Sequence, residues 1–435
     1  MKSLLNRFLL LYFLLLAIPL APRYFAELFT LPGGLFRYQN LFVLAHYVPR
    51  FFGSVPIFAD WLVIAVLALI GAAVWQRRDS TPDWSRWRYW VTAVVRYRLA
   101  IALLAYGFIK IFPLQAPFPT LSNLNTPYGD FTRWKLFAMS LGIVPNYEAF
   151  LGGVEVVAAL LLLYRKTASI GALVILFFTG NVFMSNLAYE GGEYVYSAYL
   201  ITLALFVLSY DAYRLASLVI LRRPTEPNHW RLSLTQPWQR YGRWAVKGLV
   251  VLVFAVIYGV SARSGSRHDP YQIPRGNGLA GAAGLYNVAL FKEGHDTLSY
   301  SPTDRQRWSN VVFERWSTLS IASNQPADID SGNTERITAV TNLDKTYESQ
   351  GTNGRRYYDY AVDTVDHLLR LTNKDPKDSL DTWTLRYDRP DSTHIVLSGL
   401  SPAHDSLYVV LDRIDKKYLL EEATRSGRNN HQLKL

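Results

Sequence analysis

Seven apolar runs, each about as long as a bilayer is thick, dominate residues 1–262 and limit what this chain can fold into. They read at about Leu5–Leu20, Phe58–Trp75, Trp90–Phe112, Tyr147–Tyr164, Ala168–Ala188, Ser197–Ile220 and Ala245–Ala262. A helix rises about 1.5 Å per residue, so roughly 20 apolar residues cover the hydrocarbon. Backbone amides and carbonyls find no water there, and a helix satisfies them internally. The first run, behind MKSLLNR, sits where a signal peptide would. IPLAPRYF offers no clean small-x-small cleavage site, so a retained helix is expected.

Charge separates the chain into two parts. Residues 1–262 carry 23 Lys+Arg against 11 Asp+Glu, whereas residues 263–435 carry 22 against 23. The net charge of +11 therefore sits beside apolar runs, which fits membrane topology and argues against a nucleic-acid partner. Seven crossings leave the termini on opposite sides. With the N-terminus inside, the inner segments hold 17 basic residues and the outer segments six: Arg23, Arg37, Arg50, Lys110, Arg133 and Lys135. That asymmetry predicts an inside N-terminus and an outside C-terminal domain, which for a bacterial inner-membrane protein, the expected setting, means the cytoplasm and the periplasm, with the bilayer itself as first partner. The chain has no cysteine, so disulfides, thiol relays, iron–sulfur clusters and covalently attached haem are excluded for it acting alone.

Two predicted outer loops, near Arg23–Pro56 and Pro113–Asn146, mix aromatic, proline and polar residues. Short interfacial helices are the expectation there, ahead of a binding lid.

Inside the run from Tyr147 to Tyr164 stands Glu155, near mid-depth. An ionised carboxylate facing lipid costs several kcal/mol, so Glu155 is expected to face the bundle and be paired or protonated. Arg98, about a turn from mid-depth in the third run, is the expected cation. Asn181 in the fifth run is at the right level to donate, and Tyr106 adds a phenol. Lys110, further out, is expected to extend toward the interface. Two readings of this set stay open: polar glue between helices, or a cavity that binds a polar head or relays a proton.

YRLAIALLAYGFIKIFPLQ followed by YEAFLGGVEVVAALLLLYRKTASIGALV resembles the DoxX family of small four-helix membrane proteins. The family's arginine, glycine and lysine in its first helix fall on Arg98, Gly107 and Lys110. The glycine and glutamate that open its second helix fall on Gly153 and Glu155, and its basic inner turn on Arg165. The resemblance covers about residues 90–222 and leaves two earlier spans and a seventh unmatched. It implies a four-helix membrane core, and some family members are subunits of membrane oxidoreductase complexes, including quinone-linked ones. The layout is similar to long DoxX-like proteins with extra N-terminal spans and a β-rich tail. Those close on an arginine- and aromatic-rich segment, from which YLLEEATRSGRNNHQLKL departs.

The implied organisation has two N-terminal spans over 1–89, the four-helix core over 90–222, an inner loop and seventh span over 223–262, a linker over 263–283 and a β domain over 284–435. In the last part the period changes. GLYNVALF, RWSNVVFE, STLSIAS, RITAVTN, TVDHLLRLTN, DTWTLRYD, THIVLSGL and SLYVVLDRID alternate apolar and polar residues between turn formers. About eight short strands predict an antiparallel barrel or sandwich. Leu285 or Tyr286, Trp308, Trp383, Leu397 and Leu411 are the expected core. A lipocalin-like cavity is one reading, but a barrel of this size fills its own interior, which is the favoured one.

Chemistry-bearing motifs are sparse. GNGLAG, Gly276–Gly281, has dinucleotide-loop spacing but follows no strand and opens no helix, so it reads as a lead-in loop. The acids of TNKDPKDSLD read as a solvated hairpin loop. The eight histidines show no metal-ligand spacing, so no metal site is expected. The expectation is an auxiliary or binding subunit that holds a protein partner, redox or envelope, or a small lipophile. The alternative is a quinone-linked oxidoreductase component that needs another redox subunit, because no cofactor motif is evident in this chain. A transporter is disfavoured for want of an inverted repeat.

Overall fold

A computed structural model of the chain describes residues 2–78, 82–226, 232, 236–326, 328–378, 380–401 and 404–426. The end of the tail segment singled out above, residues 427–435, lies outside them. In chain order the helices are α1 (Lys2–Ala17), α2 (Pro22–Phe29), α3 (Tyr38–Ala45), α4 (Ala59–Arg78), α5 (Trp84–Ile111), α6 (Leu121–Leu124), α7 (Arg133–Gly142), α8 (Pro145–Leu163), α9 (Ala168–Ala188), α10 (Tyr194–Ser209), α11 (Ala212–Val219), α12 (Pro237–Val250) and α13 (Tyr258–His268). A π-helical stretch, Val251–Ile257, joins α12 to α13 into one 32-residue span. The chain divides into two compact units: Met1–Pro113 with Asn146–His268, and Leu114–Pro145 with Asp269–Leu435.

The first unit is a helix bundle. α1 packs on α4 and α5, α9 on α10, and α10 on α5. On α4, Ile64, Ala68 and Ala72 recur at fourth positions and are buried, while Leu62, Val66, Leu69 and Ile70 are exposed. Apolar residues on every face are what a lipid-embedded helix requires. Entry to α4 is fixed by Asp60, whose carboxylate accepts from the Phe51 and Ile57 amides at 2.7 and 2.9 Å. Asp83 caps α5 by accepting from the Arg86 amide. Of the predicted loop helices in the first outer segment, α3 is buried almost throughout and packs on α5 and α13, so it belongs to the bundle and not to the interface.

All seven predicted runs are helical. Six are single helices long and apolar enough to cross a membrane; the sixth run breaks by 76° between α10 and α11. α10 alone spans only about 24 Å. Topology assigns it nonetheless. Segments 114–145 and 269–435 fold into one unit, so they lie on the same side, and an even number of crossings must separate them. α8, α9 and the α12–α13 span make three; α10 supplies the fourth. The chain is a multi-pass membrane protein.

The second unit is a closed antiparallel barrel. Its strands are β1 (Gly284–Glu293), β2 (Asp296–Thr297), β3 (Asn310–Phe313), β4 (Thr318–Ala322), β5 (Arg355–Asp363), β6 (Leu368–Asn373), β7 (Thr382–Asp388), β8 (His394–Leu400) and β9 (Ser406–Ile414). β1 and β3–β9 pair in sequence order, β9 closes on β1, and β2 only extends the β1 hairpin. Closure leaves no free edge among these eight. The interior is packed with Tyr286, Phe291, Phe313, Tyr358, Tyr360, Leu397 and Leu411 among others, with Trp383 partly buried against them. Of the predicted pair, Tyr286 points inward; Leu285 is buried but outside this core.

One predicted strand is corrected. RITAVTN, Arg336–Asn342, forms no strand, and RRYYDYAVD forms β5 in its place. β5 is buried on both faces, Tyr358 and Tyr360 inward and Tyr357 outward, which erases the expected alternation. RITAVTN alternates but its flank instead supplies polar contacts: Arg336 donates to Thr346 and pairs with Asp330.

The second outer loop is a further correction. Its residues 114–145 neither lie as interfacial helices nor form a lid; they cover the outer face of β3–β5. Glu314, just past β3, accepts from the Leu121 and Ser122 amides at 3.1 and 2.7 Å and from the Ser122 hydroxyl at 2.6 Å. Ser122 also meets the Ser320 hydroxyl at 2.8 Å. Beside it Glu348, 1% exposed, accepts from Thr318 (2.6 Å), Trp316 (3.0 Å) and Lys374 (2.7 Å). Lys135 of α7 donates to the Tyr347 carbonyl and stacks 3.7 Å from that ring. The Thr132 amide donates to Gly351, where φ is +67° and a Cβ would stand 2.5 Å from the Thr132 hydroxyl, so only glycine fits.

This buried layer titrates near neutrality. Burial, helped by the neighbouring Glu348 charge, pushes the Glu314 carboxyl up to about 7, and burial pulls the Lys135 ammonium down to about 7. Folded Glu314 holds its proton more tightly than the unfolded chain. Its contribution is complete below about pH 4.5 and is lost as pH rises through 7. Lys135 acts oppositely, favouring the fold as pH rises from about 7 toward 10.5. The wild-type minus Glu314→Gln difference in urea midpoint should therefore fall between pH 4.5 and 7 and stay flat above; a difference independent of pH refutes the assignment. A 269–435 fragment, which leaves Glu314 and Glu348 uncovered, is expected to show no cooperative unfolding, and adding segment 114–145 in cis should restore it.

Candidate functional site: a polar cluster inside the helix bundle

Two glycines bring α5 and α8 into backbone contact. A Cβ on Gly107 would stand 2.7 Å from Val156 Cγ2 and 3.0 Å from the Gly152 carbonyl, and one on Gly152 would stand 2.7 Å from the Ile111 amide. Lys110 and Glu155 each follow their glycine by three residues, so both lie on the crossing face. Lys110 Nζ meets Glu155 Oε1 at 2.5 Å, the side chains 11% and 6% exposed. Gly152 makes the approach; the neighbouring Gly153, picked out by the family pattern, meets nothing within 4 Å.

The ion pair opens onto an aromatic cluster. Lys110 lies 5.5 Å from the Tyr106 ring. Tyr106 meets Phe42 (5.0 Å), His46 (5.7 Å) and Tyr196 (5.5 Å). His46, at the C-terminus of α3, lies 4.1 Å from the Tyr196 ring and holds Nε2 3.5 Å from Glu193 Oε2. Tyr196 stands within electrostatic reach of Arg98, Tyr199, Glu193 and Glu155. Arg98 lies 5.1 Å from the Tyr47 ring, and Tyr199 donates to the Leu16 carbonyl at 3.2 Å.

Several polar atoms here have no hydrogen-bond partner among the described residues: Arg98 Nε and Nη2, the Tyr196 hydroxyl and Glu155 Oε2. A buried unsatisfied group costs about 1–3 kcal/mol, more when charged. Donors and an acceptor left open within electrostatic reach of Tyr196 suit a bound polar group.

Of the residues singled out from sequence, Tyr106, Lys110 and Glu155 meet directly, and Arg98 joins the cluster through Tyr196. The expected pairing is corrected: Lys110, not Arg98, neutralises Glu155, because the helices cross at the glycines one turn away. Asn181 is exposed and reaches only Ser185, at 3.5 Å. It lies two residues past Thr179, on the face opposite the buried stripe Ala168–Ala172–Ile175–Thr179. His46, Tyr47, Glu193, Tyr196 and Tyr199 were not legible as site residues; the one signal was tyrosine at 196 and 199, a helical turn apart.

Elsewhere, a cleft of about 380 Å³ in the β unit is lined by Arg336, Lys377, Asp328 and Asp330. Two ion pairs lie in its lining, Lys377 with Asp328 at 2.8 Å and Arg336 with Asp330 at 3.2 Å, and Arg355 and Arg356 line it as well. No group of three or more metal-ligating side chains occurs among the described residues. No family model, curated protein or solved structure matches the chain.

The pairing of Lys110 with Glu155 has a stability signature. Lys110→Met leaves a buried carboxylate alone and should lower stability in detergent by roughly 3–5 kcal/mol, whereas Lys110→Met/Glu155→Leu should recover most of it. Equal losses in the single and double variants would refute the pair.

Proposed function

We propose that this chain is a DoxX-like binding or auxiliary subunit of a bacterial inner membrane, whose helix bundle holds the polar head of a small lipophile at Arg98 and Tyr196. The observation that carries the reading is the set of open donors, Arg98 Nε and Nη2 and the Tyr196 hydroxyl, walled by Tyr47, Tyr106 and His46. The barrel supports it by contrast: its interior is packed with its own side chains, which favours a docking or stability role for that unit, with an envelope or redox protein as its partner. The 17-to-6 distribution of basic residues supports a cytoplasmic N-terminus and a periplasmic β unit.

A second reading is a quinone-linked oxidoreductase component. The flat rings of Tyr106, His46 and Tyr196 around cationic and phenolic donors favour it, since a quinone offers a planar ring with carbonyl acceptors. The electron donor then has to be another subunit.

Purification of the full chain in mild detergent, followed by identification of co-eluting small molecules, tests both. Wild type is expected to carry a lipophile that Arg98→Gln and Tyr196→Phe lose, with both variants still inserted and folded. A quinone that becomes reduced when the co-purifying partner receives electrons selects the second reading. Identical extracts from wild type and both variants would overturn the site.

A further inference from the structure

The opposite end of the bundle gathers more cations than carboxylates. Arg88, Tyr89, Arg96 and Tyr97 stand on the first half of α5, Arg165 just after α8, Tyr210 just after α10, and Arg243 and Lys247 on α12. The guanidiniums of Arg88 and Arg165 lie 5.4 and 5.7 Å from the Tyr210 ring, and Arg165 lies 5.6 Å from Tyr89. Arg96 lies 5.7 Å from Tyr97, within electrostatic reach of Arg165 and Arg243, and its buried Nε has no hydrogen-bond partner among the described residues. Lys247 lies 5.7 Å from the Tyr164 ring. The acid here, Asp211, is held by Arg214 at 3.0 Å and by Ser169 at 2.6 Å. Among the described residues, none of Arg88, Arg96, Arg165, Arg243 and Lys247 forms an ion pair.

Basic residues that merely mark topology reach into the headgroups separately. Here Arg88 of α5 and Arg165 after α8 meet on one ring, Tyr210, with Arg96 within electrostatic reach of Arg165, although like charges repel. Stacking occupies the faces of a guanidinium and leaves its in-plane N–H edge open, the geometry that grips phosphate oxygens. Arg165 spends one N–H on the Tyr210 hydroxyl (3.0 Å) and Arg88 one on the Ser209 carbonyl (2.7 Å). Exposed Trp238, Tyr241 and Trp244 beside them suit a headgroup layer.

We propose that Arg88, Arg96 and Arg165 form a binding site for an acidic phospholipid, whose headgroup phosphate lies between their N–H edges. The site is separate from the Arg98–Tyr196 cluster and does not depend on it. The test uses the full chain, delipidated in non-ionic detergent, with the thermal midpoint read against added cardiolipin, phosphatidylcholine or inorganic phosphate. Cardiolipin should raise the midpoint and the other two should not. Arg96→Gln/Arg165→Gln should weaken the cardiolipin response at least about 10-fold in apparent affinity, as losing a charge-assisted hydrogen bond to phosphate does. Arg77→Gln/Arg78→Gln, which removes the same charge from exposed positions at the end of α4, should leave it unchanged. An equal response to phosphatidylcholine, an equal response to inorganic phosphate, or equal weakening in the two double variants overturns the proposal. Should Arg96→Gln/Arg165→Gln fail to fold, the ligand comparison on wild type decides.

Discussion

A carboxylate buried in hydrocarbon is costly unless a cation neutralises it, and one such pair fixes a helix crossing in the bundle. Lys110 and Glu155 meet because Gly107 and Gly152 let two backbones touch one turn earlier on each helix. The glycines cost some helix stability, and the close approach offsets it by packing and by neutralising the carboxylate. With that crossing fixed, Tyr106 is held against His46 and Tyr196, so the ion pair sets the position of the aromatic cluster as well.

The second unit faces a related problem in a different solvent. The barrel interior is apolar, but the outer face of β3–β5 carries serine, threonine, glutamate and lysine under segment 114–145. A stretch that links two membrane spans is thus also a structural layer of the β unit. That interlock ties topology to folding: the β unit completes itself only when four crossings have placed 269–435 on the side where 114–145 already waits.

The spans were legible because their apolar runs are long and uniform, and the barrel because strands such as β6, β7 and β9 alternate cleanly. The partner of Glu155 was not, because depth along separate helices says nothing of where two helices cross. Asn181 was placed at the right level but on the wrong face, a distinction the near-uniform apolarity of α9 hides. β5 escaped notice because tyrosines lie on both its faces, and RITAVTN misled because alternation without a pairing partner makes no strand. His46 and Glu193 come from segments between spans, where periodicity carries no information.

How polar groups are satisfied separates the two units further. Outside the bundle, Glu314 and Glu348 each accept three hydrogen bonds and so hold that layer together. Inside it, Arg98 and Tyr196 keep donors open where water is scarce and open donors are most costly. An open donor at membrane depth is the costlier kind, and it is there that a polar ligand would offset most. On the binding reading proposed above, these open donors put the ligand among the helices, and the packed barrel interior leaves that unit its surface for contacts.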